Sequence, residues 1–442
     1  MSHISTPPPH PNPLPQGEGI VCHYSLLDLP LGKEISVMPS FEEARRIILE
    51  SIVPLGVERV ELLESLGRVL AEDVVAPWNM PFCDNSAMDG YAVRTADCSA
   101  IPAVLKIIGY IPAGGDMTGP VMPGCAIRIM TGAPIPLGCD AVVPVEETDG
   151  GKDTVTITAP VSHRQHIRFA GEDVRSGETI IPAGSLIRPQ EISMLASFAK
   201  VFVPVYRRAK VAILSTGDEL IELGEPLAEG KIINSNALSL AAAVKEIGAI
   251  PLILGIARDN HESHREKMSE GLKADALITS AGVSAGDRDL VREVLAELGM
   301  QQVFWRVDIK PGGPTAFGLH QGKPVFSLPG NPVSTMVTFE EFARPALLKM
   351  MGHKRVIKPF IKAVLLNDAH KKPGKINFLR VRLTSESGRY LAYSSGDQNT
   401  GILKTMLMAD AMAVLPAERT EFSAGEEVDV HILSGNVEML EG

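Results

Sequence analysis

Between Lys210 and Gly352 the chain repeats one pattern: a short apolar run, a loop of small residues, then an amphipathic stretch. The apolar runs are Val211–Leu214, Ile250–Ile256, Ala276–Thr279, Val303–Val307 and Val325–Leu328. The stretches of helical period are Ser235–Ile247, Glu262–Leu272, Asp289–Leu298 and Ser334–Met350. Apolar strands alternating with helices predict a doubly wound, mostly parallel sheet covered on both faces. Ligands of such sheets bind beyond the carboxyl ends of the strands. Here those ends read Ser215-Thr216-Gly217-Asp218-Glu219, Ala257-Arg258-Asp259, Ser280 to Gly286, and Ser327 to Pro332. Most are small or glycine-containing, and several carry carboxylates, which points to a phosphate-bearing ligand.

The third of these ends is the richest. Ser280-Ala281-Gly282-Val283-Ser284-Ala285-Gly286 lets backbone approach a ligand closely, and Asp289 can cap the following helix. A strand, a small-residue loop and a capped helix make an anion cradle of amide hydrogens and a positive helix end. The adjoining carboxylates suit Mg²⁺, which takes oxygen ligands in the company of phosphate. Gly282 to Gly286 also fits G-x-S-x-G, the nucleophile elbow of serine hydrolases, with Ser284 as nucleophile. That reading needs an acid and then a histidine further along. Asp308, His320, His353, His370 and His431 occur, none in a distinctive context. A plain tight turn is the third possibility.

The flanks have a different grain. From Pro77 to Pro136, prolines and glycines punctuate β-rich runs at Val104–Tyr110, Ala126–Met130 and Ala141–Val145. Helical pattern begins at Ser40, which caps with Glu43 three residues on. Val57–Leu63 reads as a strand and Glu64–Leu70 as a short helical turn; the apolar pattern returns at Ile180–Val205, with Pro189 opening a helix to Phe198. Beyond Lys354 five strands are expected, at Phe360–Leu366, Phe378–Leu383, Tyr390–Tyr393, Ala411–Leu415 and Val428–Leu433. They suggest a small barrel or sandwich, with Arg380 and Arg382 on one face and Leu379, Val381 and Leu383 on the other.

The expected fold is therefore multidomain α/β plus β: a central doubly wound domain, an inserted β domain and a C-terminal barrel-like β domain. The expected divisions are a Pro-rich tail at 1–37 and a helix at 38–56 packed on the α/β domain. A split linker domain takes 57–75 and 166–207, the inserted β domain 76–165, the α/β domain 208–353 and the C-terminal domain 354–442. Met1 to Gly19, containing PPPHPNPLPQGEG, lacks a basic n-region and an apolar h-region. It reads as an extended, disordered appendage, translated from an upstream start codon, and not as a signal peptide.

Composition excludes several classes. A formal charge of -11 leaves no general nucleic-acid footprint. Five cysteines, an odd number with no C-x-x-C, argue against a disulfide framework or zinc site and fit a reducing cytoplasm. No apolar run approaches the roughly 18 residues that span a membrane.

Several further motifs carry candidate chemistry. Asp84 to Ala92 places two carboxylates, Asp84 and Asp89, between a Pro-rich approach and a strand, and Thr131 ends another strand in Met-Thr-Gly-Ala-Pro. Arg168, Glu172 and Asp173 lie in Arg-Phe-Ala-Gly-Glu-Asp. Taken singly, each reads equally as a turn or a solvated loop. Asp218 and Glu219 fit either a ligand site or a helix cap after Thr216. Lys310, before a Gly/Pro turn, can meet phosphate as a point charge.

Taken together, the motifs resemble one family. DNSAMDGYA at Asp84–Ala92, MTGAP at Met130–Pro134, GED at Gly171–Asp173, STGDEL at Ser215–Leu220, SAGVSAGD at Ser280–Asp287, IKPGGP at Ile309–Pro314 and LPGNPVS at Leu328–Ser334 occur in family order. They resemble the MoeA-type molybdopterin molybdenumtransferases, which include the gephyrin E domain. The resemblance runs from about Ser40 to the C-terminus. It implies an elongated homodimer that takes adenylylated molybdopterin and molybdate. With Mg²⁺, such an enzyme inserts molybdenum into the dithiolene and releases AMP, downstream of a molybdopterin adenylyltransferase. The resemblance also implies a cleft between the α/β domain of one subunit and the inserted β domain of the other.

By motif, Asp89, Thr131, Asp173, Glu219, Asp259, Asp289 and Lys310 become the catalytic candidates, with Glu219, Asp259 and Asp289 able to hold metal. Arg168, Ser215, Thr216, Gly217, Gly282, Val283, Ser284, Gly286, Arg306, Pro329, Gly330, Asn331 and Pro332 become substrate-binding. Two positions depart from some relatives: Trp305-Arg306 stands for Trp-Lys, and Pro311-Gly312-Gly313-Pro314 for P-G-K-P. Positive charge is kept at the first and lost at the second, so the anion-binding role rests on Lys310 with Arg306 in support. A scaffold of the same fold without turnover and an adenylyltransferase acting on molybdopterin remain the alternatives.

Overall fold

The structure is a computed structural model that describes residues 38–115, 119–282 and 290–433. Its centre is a six-stranded sheet ordered Ile250–Ala257, Lys210–Thr216, Ala276–Ser280, Lys323–Leu328, Ala316–His320, Gln301–Phe304. The first four strands are mutually parallel. Strand order reverses at Lys210–Thr216, whose sequence successors lie on opposite sides of it. That reversal opens a crevice at the carboxyl ends.

The Ala316–His320 strand is antiparallel to its neighbours and has no counterpart in the sequence reading. A side chain at Gly318 would meet the Gln301 carbonyl at 2.8 Å. Close strand approach demands the glycine. The expected strand Val303–Val307 shifts to Gln301–Phe304 to pair with it.

Helices Ser235–Glu246, His261–Gly271 and Leu290–Glu297 cover the sheet. Met268, Leu272, Val291, Val294 and Leu295 pack on one face, beside Leu214 and Leu277. The other face is covered by Leu240 and Val244, by Val337 and Leu347, and by the helix Phe41–Ser51. Ser40 caps that last helix, its Oγ accepting from the Glu43 amide at 3.2 Å.

Where one helix is expected over Ser334–Met350, the structure has α-helix Pro332–Thr338, a π-helical turn Phe339–Ala343 and α-helix Arg344–Met350. Pro345 explains the break. It offers no amide to the carbonyl one turn back, and its ring crowds that carbonyl, so a wider turn accommodates it.

Outside the central sheet the described residues form further β arrangements. Val57–Glu61 pairs with Phe202–Tyr206, and Val74–Val75 with Thr179–Ile181. Glu64–Leu70 yields only a 3₁₀ turn at Leu63–Ser65, because Gly67 takes a left-handed φ of 73°. A five-stranded sheet runs Ala141–Pro144, Gly90–Val93, Cys125–Ile129, Ala103–Ile111, Thr154–Ile157. The cysteines among the described residues, Cys83, Cys98, Cys125 and Cys139, are free.

At the C-terminal end, Ile376–Glu386, Arg389–Ser394, Phe360–Leu365, Glu427–Ile432 and Ala411–Leu415 close into a five-stranded barrel. Arg380 departs from the expected alternation and is 1% exposed. Its Nε donates to Thr405 Oγ1 at 2.9 Å and its Nη2 to the carbonyls of Asp397 and Asn399 at 3.0 and 3.2 Å. A loop folded over the barrel thus replaces the water the guanidinium would have met, and Arg382 alone of the pair stays exposed.

Phe41 joins three of these parts. Its ring lies 5.7 Å from that of Phe342 in the π-helical turn and 5.2 Å from that of Phe378 in the barrel. Phe41→Ala is expected to destabilise the chain by about 3–5 kcal/mol. Denaturant unfolding followed by circular dichroism measures this, and a loss below about 1 kcal/mol would contradict the role given to Phe41.

Candidate functional site

A cleft of about 530 Å³ opens at the strand-order reversal. Its walls come from the ends of three parallel strands: Ser215 with Glu219, Ser280 to Gly282, and Pro329 to Pro332. The described residues thus gather Ser215, Glu219, Gly282, Pro329, Gly330, Asn331 and Pro332 from the predicted set. Thr216 and Gly217, which follow Ser215 in the chain, are buried. Val283, Ser284, Gly286 and Asp289 lie outside the described residues.

Backbone geometry fits a surface that a ligand approaches closely. Gly217 has φ 136°, and a side chain there would lie 2.3 Å from Glu219 Oε2. The Glu219 carboxylate therefore rests over the bare α-carbon of Gly217. Ala281 and Gly282 both take left-handed φ, 78° and 76°, where the strand stops. No helix follows Asp218 and Glu219, which removes the capping alternative. The chain continues instead into Leu220–Ile221, paired with Ile232–Ile233.

Two asparagines that sequence reasoning passed over hold the cleft together. Asn236 Nδ2 donates to Ser280 Oγ at 2.9 Å and to the Gly330 carbonyl at 2.8 Å. Asn234 Oδ1 accepts from Ser215 Oγ at 2.8 Å while capping the Ser235–Glu246 helix at the Ala237 amide. The sequence does carry a signal: Asn-Ser-Asn stands at the start of a predicted helix, where a cap belongs.

Asp259 sits at the end of the neighbouring strand. Its Oδ2 accepts from the Asp218 amide and its own amide donates to Asp218 Oδ1, each at 3.2 Å. The two carboxylates are thereby held side by side beside the cleft. Glu219 and Asp259 do not form a three-ligand cluster with another described residue.

Lys310 lies elsewhere. Ile309–Lys310 pairs with Ile376–Asn377 of the barrel, so Lys310 lines a second cavity of about 300 Å³, together with Arg380, Gln398 and Thr400. The two cavities meet where Asn331 Nδ2 donates to Thr400 Oγ1 at 3.2 Å. Arg306 is exposed and lines neither cavity.

The remaining candidates form a separate group. The register Gly90↔Ile129 places Asp89 beside Thr131. Asp89 Oδ1 accepts from the Thr131 amide at 2.7 Å and from its hydroxyl at 2.8 Å. Arg168 pairs with Asn85 in the adjoining ribbon, and Asp173 follows on an exposed loop. None of Asp89, Thr131, Arg168 and Asp173 lines either cavity within this chain.

Comparison with known proteins then decides the family. A curated molybdopterin molybdenumtransferase 2 of Mycobacterium tuberculosis is 37% identical over 403 residues, covering 89% of this chain and 99% of that protein. The chain belongs to the molybdopterin molybdenumtransferase family. A molybdopterin molybdenumtransferase of Haemophilus influenzae is 36% identical over 398 residues, covering 89% and 98% of the two chains. Residues 39–199 match the MoeA N-terminal region (domain I and II), 212–349 a probable molybdopterin binding domain and 362–433 the MoeA C-terminal region (domain IV). Among solved structures, a molybdopterin biosynthesis MoeA protein from Pyrococcus horikosii is 29% identical with a TM-score of 0.80, over 90% of this chain and all of that one. Among the described residues no helix is long and apolar enough to cross a membrane.

Hydrogen bonds from the Thr131 amide and then its hydroxyl hold the Asp89 carboxyl below the usual carboxylate range. Its folded value lies under the unfolded one. The interaction is therefore present above about pH 4 and lost as pH falls through the lowered value. Thr131→Val removes one donor and is expected to move the Asp89 titration, followed by NMR, upward toward about 3.9. An unmoved titration would contradict this pairing.

Proposed function

We propose that this chain inserts molybdenum from molybdate into adenylylated molybdopterin, cleaving the adenylate and releasing AMP. The observation that carries the reading is the cleft at the strand-order reversal, walled by small-residue strand ends and flanked by Glu219 and the Asp218–Asp259 pair. The small-residue strand ends at Ser215, Ala281 and Gly330 let a ligand approach the backbone closely, and a crevice of this size suits a pterin nucleotide. Gly282 and Asn331 to Pro332 serve as walls, while Ser215 and Thr216 fix the backbone behind them.

Breaking the phosphoanhydride requires charge neutralisation and a positioned oxygen nucleophile, water or a molybdate oxygen, in line with the leaving phosphate. Asp259 and Glu219 are oxygen donors of the kind Mg²⁺ takes, commonly through one or two carboxylates with water and substrate phosphate completing its shell. When bound, Mg²⁺ supplies positive charge at the phosphates. Asp259 and Glu219 hold it or orient the nucleophile. Asp289 and the Val283, Ser284 and Gly286 loop join this set by motif. Lys310, on the wall of the second cavity, supplies positive charge for the small tetrahedral oxyanion. The contact between Asn331 and Thr400 links that position to the nucleotide cleft, and Arg306 adds charge from outside.

We assign Asp89, Thr131, Arg168 and Asp173 to the same reaction through a second copy of the chain. Their separation from the cleft within one chain supports a homodimer with shared sites. So does the edge strand Ile250–Ala257, unpaired on its outer side among the described residues, whose Ile250, Leu252 and Ile253 are exposed apolar residues. The chain then acts in the cytoplasm, on the product of a molybdopterin adenylyltransferase.

Purified protein given adenylylated molybdopterin, molybdate and Mg²⁺ is expected to release AMP. Asp259→Ala is expected to cut that rate by about 100-fold or more with unchanged circular dichroism. No AMP release by the wild type, or an unaffected variant, contradicts the reading.

A further inference from the structure

Two helices on one face of the central sheet carry a cluster that the proposed reaction leaves unused. His261 opens the His261–Gly271 helix, directly after its cap Asn260. Glu293 and Glu297 stand one turn apart on Leu290–Glu297. One ligand atom from each of the three lies within 4.8 Å of the other two. His261 Nε2 is 3.0 Å from Glu297 Oε1, and Arg265 Nη1 is 3.3 Å from Glu297 Oε2.

The backbone frame beneath this cluster is fixed independently of it. Met268 and Leu272 of the first helix and Val291, Val294 and Leu295 of the second belong to one buried core. Two carboxylates four residues apart on a helix repel one another, so their proximity costs stability unless a cation lies between or beside them. Arg265 reaches one carboxylate through a single contact, Nη1 to Glu297 Oε2. The three ligand-bearing side chains remain at least partly exposed, leaving their rotamers free to adjust.

We propose that His261, Glu293 and Glu297 form a surface site for a divalent transition-metal ion of the Zn²⁺ type. An imidazole with two carboxylates selects such an ion over Mg²⁺, which takes oxygen ligands. Tetrahedral coordination at about 2.0–2.2 Å places ligand atoms roughly 3.3 Å apart, within a small side-chain adjustment of the observed cluster. A fourth position stays open to water, and Arg265 gives up its contact with Glu297. The ion bridges the helix that follows the Asp259 loop to the helix that begins at Leu290. This site is independent of the proposed reaction, which uses all-oxygen ligands at the cleft.

The test is calorimetric titration of the full chain with Zn²⁺ in excess Mg²⁺, comparing wild type, His261→Ala and the double variant Glu293→Gln/Glu297→Gln. The wild type is expected to show a saturable site that both variants weaken at least tenfold, with circular dichroism unchanged. Zn²⁺ is also expected to raise the melting temperature of the wild type and of neither variant. Absence of a saturable site overturns the proposal. So does equal affinity in all three proteins, which places the ion on other histidines or cysteines, or weakening in only one variant.

Discussion

The cleft depends on two side-chain amides at the start of one helix. Asn236 spans from the end of Ala276–Ser280 to the loop after Lys323–Leu328, and Asn234 reaches Ser215 at the end of Lys210–Thr216. Three parallel strands thus end on one helix N-terminus. Strand ends joined only by small-residue loops would otherwise each move by themselves. Held this way, the strand ends present one surface, and little ordering remains for the moment when a ligand binds.

The same economy operates at two other candidate positions. Thr131 organises Asp89 with both its amide and its hydroxyl, which keeps that carboxylate ionised. Arg380 organises the loop over the barrel, and Gln398 of that loop returns two bonds to the Arg380 backbone, at 2.9 and 3.1 Å. That loop then meets Asn331 at the edge of the cleft. Each candidate position is therefore supported by a neighbour whose own polar groups are already committed.

Much of this was legible in the sequence for a physical reason. Parallel strands buried on both faces must be apolar throughout, so Val211–Leu214, Ala276–Thr279 and Val325–Leu328 announce themselves, and their small-residue ends mark the crevice. The barrel strands show likewise, by their spacing between polar turns. What stayed hidden depends on partners distant in the chain. The strand at Ala316–His320 stays hidden until the Gln301 carbonyl is set beside Gly318. Arg380 looks solvated until Thr405 and the Asp397–Asn399 carbonyls enclose it. Asn236 is one asparagine among many until the fold sets Ser280 and Gly330 against it. The separation of Asp89 and Thr131 from the strand-end cleft is likewise a property of three-dimensional arrangement; no local pattern encodes it.

The central claim is that a complete site needs the cleft of one copy and the Asp89–Thr131 pair of another. Mixing Asp89→Ala with Asp259→Ala subunits under conditions of subunit exchange tests it directly. Random pairing of two copies puts one intact site in each mixed dimer, so AMP release should recover to about one quarter of the wild-type rate. A mixture that stays as inactive as its two components would contradict the shared site.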